Sequence, residues 1–372
     1  CITGGNAAPQ DNSDFRYGAG WFNRGLGGEE SSPTIINCII TGNTTNTANS
    51  GNFNGGGMAN YSDDGPTKPT LINTIISNNY ARSGGGMYNY GAGNYESSPK
   101  LINCIISGNR ALIIGGGMYN DGEDGLSYST IVNTVIAGNI TAGNNGGAIY
   151  SAADQGDSTT TIVNSIIWNN SNLFFTNGFG DPHISYSIIQ SAPGSYLDYG
   201  NNKIGLDPMF INSPAAGQTA SGDFHVQIGS PATDMGLNSA NNYPTDLNGK
   251  VRIFGGIIDI GAYESDAYDC TLYSSAVYVD SSATGANNGS SWADAFTDLQ
   301  DALAAVRTCD IDTIKVAQGT YYPSDSIVIF DKCSGLPIDT IFPDKTISFN
   351  IPDSAVLLGG YPSGGSDDRD WY

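Results

Sequence analysis

Short apolar runs recur along the chain, each closed by Asn or Gly-Asn. LINCIISGN fills 101–109, with close copies at 35–43 (IINCIITGN), 71–79 (LINTIISNN), 131–139 (IVNTVIAGN) and 162–170 (IVNSIIWNN). Ile, Val and Thr in runs of about six residues predict strands, and no amphipathic helix fits between copies. A second phrase accompanies each copy: GAGWFN (18–23), GGGMAN (55–60), GGGMYN (84–89 and 115–120) and GGAIYS (146–151). The spacings between the first Asn of successive copies are 36, 30, 30 and 31 residues. A unit of this size is too short for a four-stranded propeller blade and predicts a solenoid of short strands with Gly/Asn corners. The expected fold is all-β: a right-handed parallel β-helix, a pectate-lyase-like solenoid.

Stacking successive coils at strand spacing, about 4.8 Å, superposes equivalent residues. Two Asn columns follow: Asn37, Asn73, Asn103, Asn133 and Asn164, then Asn43, Asn79, Asn109, Asn139 and Asn170. Stacked amides pass hydrogen bonds between coils, and Asn tolerates the left-handed backbone of a corner. Both columns are therefore read as structural ladders. Cys38, Thr74, Cys104, Thr134 and Ser165 form a third column, always small. Trp168 shares a column with Thr41, Ser77, Ser107 and Ala137, which marks that column as outward. Strict alternation then places Ile102, Cys104 and Ile106 inside and the Ile105 column (Ile39, Ile75, Val135, Ile166) outside, as a lateral packing stripe. A bend near the Asn would instead place the Ile105 column inside. The bend is the preferred reading, and the stripe remains open.

The net charge of −22, from 36 acids against 14 bases, argues against nucleic acid as a partner. No run of about 18 apolar residues is present to span a membrane. The chain opens at Cys1 inside a partial repeat (CITGGN), and that context accounts for Cys1 better than lipidation does. The expectation is a processed chain or one cut from a longer protein.

Past residue 171 the rhythm weakens, and SYSII (185–189) reads as a last, shorter copy. The expected division is coils over 1–190, a closing segment over 191–264, a linker over 265–275 and an opening segment over 276–372. The closing segment carries Asp207-Pro208, Ser230-Pro231-Ala232, Asp246-Leu247-Asn248-Gly249, Arg252 and Asp259-Ile260-Gly261-Ala262-Tyr263-Glu264. This order resembles the end of choice-of-anchor Q β-helix domains, which are secreted or surface-exposed bacterial proteins, many from Bacteroidota. One departure is ATDMG where the family shows an AID-x-G run. The GGGMYN phrases also look like the glycine-rich repeats of chlamydial polymorphic outer-membrane proteins. AVYVDSSATGANNGSSWADAF (276–296) resembles the start of the same kind of domain. Ser291 with Asp294 makes a capping-box pattern. Phe296, Leu299, Leu303 and Val306 share one helical face, so a capping helix is expected near 292–307. The resemblance implies that this helix covers the first coil. Coils and a closing segment thus precede an opening segment, an order that fits tandem modules or a head-to-tail homopolymer.

Six Cys in an apparently extracellular chain imply disulfides. Cys38 and Cys104 lie two coils apart, roughly 9–10 Å, beyond the roughly 7 Å reach of a disulfide. Cys309 and Cys333 flank a loop and are the preferred pair, with Cys270 an alternative partner for either. Catalysis is not expected. The coils hold few bases, chiefly Arg16, Arg24, Lys68, Arg82, Lys100 and Arg110, and none recurs beside paired acids. His183 is read as a solvent-facing loop residue and His225 as isolated. No cofactor is expected. Two acidic loops are weak calcium candidates, Asp63 with Asp64, and Asp121 with Glu123 and Asp124, although neither has EF-hand spacing. The expected protein is an extracellular or cell-surface structural protein, a stalk or filament subunit whose partner is itself. The alternative is a glycan-binding adhesin with Trp21, Tyr88 and Tyr119 as contacts, and less favoured still is a polysaccharide lyase or hydrolase.

Overall fold

The computed structural model describes residues 1–7, 17–45, 53–122, 125–142, 145–153, 156–178, 180–191, 196–216, 222–227, 229–254, 257–265, 268, 270–309, 311–322, 327–330, 337–341, 349, 351, 355–366 and 368–369. Arg16, Glu123, Asp124 and Cys333 lie outside these residues. The chain forms two compact units. The first comprises Cys1–Val226, Ser230–Ile253 and Ile257–Glu264; the second comprises Gln227–Gly229, Phe254–Gly256 and Ser265–Tyr372. The described residues are mostly β, with parallel sheets and one α-helix.

In the first unit the copies at 35–43, 71–79, 101–109 and 131–139 each give one strand to each of four parallel sheets, and the copy at 162–170 gives strands to three of them. The second repeat supplies Thr34–Ile36, Ile39–Thr41, Thr44–Thr45 and Met58–Ser62, in that order. Each strand pairs with its equivalent one repeat away. Ile40 meets Ile76, Ile76 meets Ile106, Ile106 meets Ile136 and Ile136 meets Ile167. Parallel pairing continues past residue 190, because Leu197–Asp198 and Lys203–Ile204 extend two of the sheets. The closing segment adds an antiparallel pair, Phe210–Asn212 with Asp223–Val226.

The main core lies between the sheets. Leu71, Leu101, Ile131 and Ile162 come from one sheet, Ile76, Ile106, Ile136 and Ile167 from a second, and Met58, Met87, Met118 and Ile149 from a third. Burying each such side chain contributes about 1.5–3 kcal/mol before entropy is counted. Asn103 supplies the expected bend, with φ 51°, and Asn37, Asn73, Asn133 and Asn164 share that conformation. The bend falls between Ile102 and Cys104. It therefore turns Leu101 rather than Ile102 into the core, and leaves Cys104 and Ile106 inside. The preferred placement of the Ile105 column is thereby corrected. Ile105, Val135, Ala137, Ile166 and Ile188 face away from the main core and form a second one with Phe210, Phe224, Ala232, Ile260 and Ala262 of the closing segment. The outward stripe is a packing surface, and this chain covers most of it. Ile39, at its start, is 42% exposed.

In the second unit, Val277–Val279, Thr313–Ala317 and Val356–Tyr361 form a parallel sheet. The helix is Leu299–Cys309, a later start than 292–307. Asp294 N donates to Ser291 Oγ at 3.1 Å as in a capping box, and the Ser291 hydroxyl in turn donates to Asp294 Oδ2 at 3.1 Å. Asp294 also accepts from Ala286 N at 2.9 Å, and its carbonyl accepts from Asn288 and Gly289. The box thus closes a turn, and Asp298, accepting from Gln300 N, opens the helix. Phe296, Leu299, Leu303 and Val306 are all buried, with Val277, Val279 and Ile314. The disulfide joins Cys270 to Cys309 across a Cα separation of 5.2 Å, which corrects the Cys309–Cys333 pairing. A short 3-10 turn, Cys270–Leu272, brings Cys270 to the helix end, so part of the expected linker is packed into this unit. Cys1, Cys38 and Cys104 are free thiols.

Candidate functional site

The second Asn column is a continuous buried ladder. Asn109 Oδ1 accepts from the backbone N–H and the amide of Asn79, each at 3.0 Å. Its own amide donates to Ile76 O at 2.9 Å and Asn139 Oδ1 at 3.0 Å. The pattern repeats from Asn43 to Asn170. The small column is a second ladder. Thr134 and Ser165 hydroxyls donate to the carbonyl two residues back and accept an N–H from the preceding repeat. The Cys104 thiol donates to Ile102 O in the same way, and burial pushes its pKa up to about 12. It is a protonated spacer, not a nucleophile.

The first Asn column makes part of the expected ladder and also holds the closing segment. Asn103 and Asn164 do touch the neighbouring Asn73 and Asn133. Their stronger commitment is to the closing segment. Asn164 accepts from Leu237 N at 2.8 Å and donates to Leu237 O at 3.0 Å. Asn133 donates to Asn241 Oδ1 at 3.1 Å, and Asn103 to Thr245 O at 2.6 Å. The segment advances four residues per repeat as it runs over this column.

A third Asn column went unread in the sequence. Asn23 donates to Asn60, Asn60 to Asn89 and Asn89 to Asn120, at 2.8–3.2 Å. The signal is present in the sequence, because Asn ends each WFN, MAN or MYN phrase after its glycines. Those glycines are required. A Cβ on Gly116 would lie 2.6 Å from the carbonyl oxygens of Ile140 and Gly147.

On the same sheet, outward positions carry aromatic rings. Tyr61 and Tyr90 stack at 4.7 Å and Tyr17 lies tilted on Tyr61 at 4.7 Å, while Tyr88 meets Tyr119 at 5.2 Å and Tyr119 meets Tyr150 at 5.3 Å. Ala59 leaves a gap in this array between Phe22 and Tyr88, and Tyr17 lies 6.2 Å and 5.9 Å from their rings. Burial, aided by Tyr17, raises the Tyr61 pKa, and burial with the Asp121 charge raises that of Tyr88. Of the expected glycan contacts, Tyr88 is 4% exposed and so is not a surface contact, while Trp21 is half-buried and packs against the main core. Tyr119 is half-buried.

The acidic loops are committed to protein partners. Asp63 holds Arg24 at 2.8 and 2.9 Å, Asp64 accepts from Gly27 N, and Asp121 accepts from Tyr88 Oη. Among the described residues no three His, Cys, Asp or Glu side chains converge as a metal site. His183 lies on the strand His183–Ser185, beside Tyr199, rather than in a loop. His225 is not isolated: Nδ1 lies 2.5 Å from Asp223, Nε2 lies 2.6 Å from Asn248, and its ring stacks on Tyr263 at 3.8 Å. In the closing segment the buried Arg252 donates to Glu264 at 2.6 Å and to Gly261 O at 2.5 Å, and Glu264 N donates to Asp246. Residues of the closing motif therefore hold one another. No family model matches the chain, and no curated protein matches it.

Proposed function

We propose that this chain is an extracellular structural protein: a right-handed parallel β-helix that serves as a stalk or filament element at a bacterial cell surface. The supporting observation is unbroken parallel pairing from Ile2–Thr3 to Lys203–Ile204, lined by buried hydrogen-bonded Asn. Such stacking puts hydrogen bonds along the long axis and gives length and stiffness without separate domains. The closing motif, with Arg252 bonded to Glu264 and Asp246 to Glu264 N, supports the likeness to choice-of-anchor Q domains. The Cys270–Cys309 disulfide supports an oxidising compartment.

Assembly is proposed through sheet edges, between tandem modules or head to tail between copies. Val356–Tyr361 lies at the edge of its sheet with Val356 and Leu357 exposed, and Ile2–Thr3 lies at an edge of the first unit. A heterologous contact of this kind does not close on itself and yields filaments. Electron microscopy of purified protein tests the proposal. Fibres with a regular axial repeat are expected, and they should vanish when 276–372 are deleted. Filaments that survive the deletion would sink the head-to-tail mode. The reading assigns no catalysis, and turnover of acidic polysaccharides by the protein would overturn that part.

A further inference from the structure

The Ile105 column is covered unevenly. From Ile105 to Ile188 the closing segment buries it, whereas Ile75 is half-buried and Ile39 is 42% exposed. The neighbouring Asn column divides at the same repeat. Asn103, Asn133 and Asn164 each hold the closing segment, and Asn164 both accepts from Leu237 N and donates to Leu237 O. Asn73 is only 7% exposed, yet its side chain makes a single bond, accepted by Oδ1 from Asn103. Its amide N–H groups, and the whole Asn37 side chain, have no hydrogen-bond partner among the described residues.

The cover stops because the closing segment turns back. Thr245 is bridged antiparallel to Val251. Arg252 N donates to Pro244 O and Lys250 O accepts from Asp246 N, so the main-chain groups of Val251 and Ile253 point to the opposite edge. Those groups make no hydrogen bond among the described residues. Val251 is 45% exposed and Ile253 36%, with the buried Arg252 between them. This stretch is an open strand edge carrying two apolar side chains. It adjoins the uncovered repeats, because the Asn103 amide donates both to Asn73, at 3.2 Å, and to Thr245 O, at 2.6 Å.

We infer that this face pairs two copies of the chain about a two-fold axis. Val251–Ile253 of each copy lies over Asn37, Ile39, Asn73 and Ile75 of the other. The two halves complement each other: unused amides meet an unused strand edge, as Asn164 meets the main chain at Leu237, and exposed isoleucines meet Val251 and Ile253. Both halves stand side by side on one copy, so a single two-fold contact uses each of them twice. The contact continues the interface that the closing segment already makes with the same two columns. None of the contact side chains is charged, so copies of net charge −22 bring no like charges together there. This lateral contact closes at two, unlike end-to-end assembly, and does not depend on it.

Sedimentation equilibrium of the whole chain tests the pairing. A monomer–dimer equilibrium is expected, with a dissociation constant on the order of 10–100 μM because the contact is small. It should tighten between about 50 mM and about 500 mM salt, as the acidic surfaces are screened from each other. Ile39→Asp and Val251→Lys should each weaken dimerisation by about tenfold or more, because each buries an unpaired charge. Mixed together, the two variants should pair again: in the mixed dimer one contact joins the new carboxylate to the new ammonium and the other is unaltered. Leu26→Asp, at a 56% exposed position in the Leu26–Glu29 bridge, should change nothing. Circular dichroism and melting establish that each variant is folded. In any filaments, the contact variants should turn paired fibres into single ones and leave their length intact, which separates this contact from end-to-end assembly. Absence of both dimers and paired fibres would overturn the inference. So would folded Ile39→Asp and Val251→Lys proteins that pair as the parent does, or a mixture of the two that pairs no better than either alone.

Discussion

Asn109 joins three repeats through one side chain. It accepts from Asn79 and donates to Ile76 O and Asn139. Asn109→Ala removes these and leaves the Asn79 backbone N–H and one N–H of its amide without an acceptor in the core. Each buried orphan costs about 1–3 kcal/mol, so a loss of about 2–5 kcal/mol is expected in urea melts. Asn109→Asp keeps the acceptor and forfeits the donor, and it should also destabilise strongly. Cys104→Ser retains the bond to Ile102 O and should change stability by less than about 1 kcal/mol. The Cys104 thiol should resist alkylation until the chain unfolds. An Asn109→Asp protein as stable as the parent would refute the donor role. The ladder was legible because columns superpose in sequence. The first Asn column was legible as corners and in its Asn103–Asn73 and Asn164–Asn133 bonds, but not in its further partner for Asn103, Thr245, 142 residues away. No local pattern encodes that contact.

Among the elements, the helix Leu299–Cys309 shows how a correct local rule misplaces a boundary. The Ser291–Asp294 box forms, but the chain keeps turning until Asp298. A side chain that satisfies backbone groups in a loop looks the same in sequence as one that starts a helix. The apolar face was read correctly because its four residues need burial wherever the first turn begins. Nearby, Asp280 is buried and accepts from Ser282 N, Ser282 Oγ and Gly364 N. Burial alone would raise its pKa; the hydrogen bonds from Ser282 and Gly364 outweigh it and hold the carboxyl below the ordinary value. The unfolded carboxyl titrates near about 3.9. Its contribution is therefore complete above that pH and is lost as pH falls through the lower folded value. Hydrogen exchange at Val277–Val279 should rise as acid is added over that window. In Asp280→Asn, which does not titrate, the rise should be smaller. Equal acid sensitivity in both proteins would remove Asp280 from the account.

At the scale of the molecule, the period of about 30 residues and the two Asn columns carried the repeat architecture, because stacking makes each repeat a copy of its neighbour. The second core was only half legible. Alternation left Ile105 outside, but what covers it comes from an aperiodic segment, as Phe210, Phe224, Ile260 and Ala262. The closing segment meets Asn164 at Leu237, Asn133 at Asn241 and Asn103 at Thr245. Four residues would extend to about 13 Å, whereas one repeat rises about 4.8 Å. The 3-10 turn Asn238–Ala240 takes up part of the surplus.

That constant step makes the closing segment a gauge of repeat number. Duplicating residues 101–130 should open a gap in the cover over the Ile105 column, detected as dye binding and a lower melting temperature. Inserting about four residues between Asn241 and Thr245 should close it, if one repeat is matched by one step. If the duplicated protein is equally stable without that insertion, the gauge does not operate. If it does operate, gains of a repeat in such proteins can persist only with a matching small insertion more than a hundred residues downstream, so length would evolve in coupled pairs of changes.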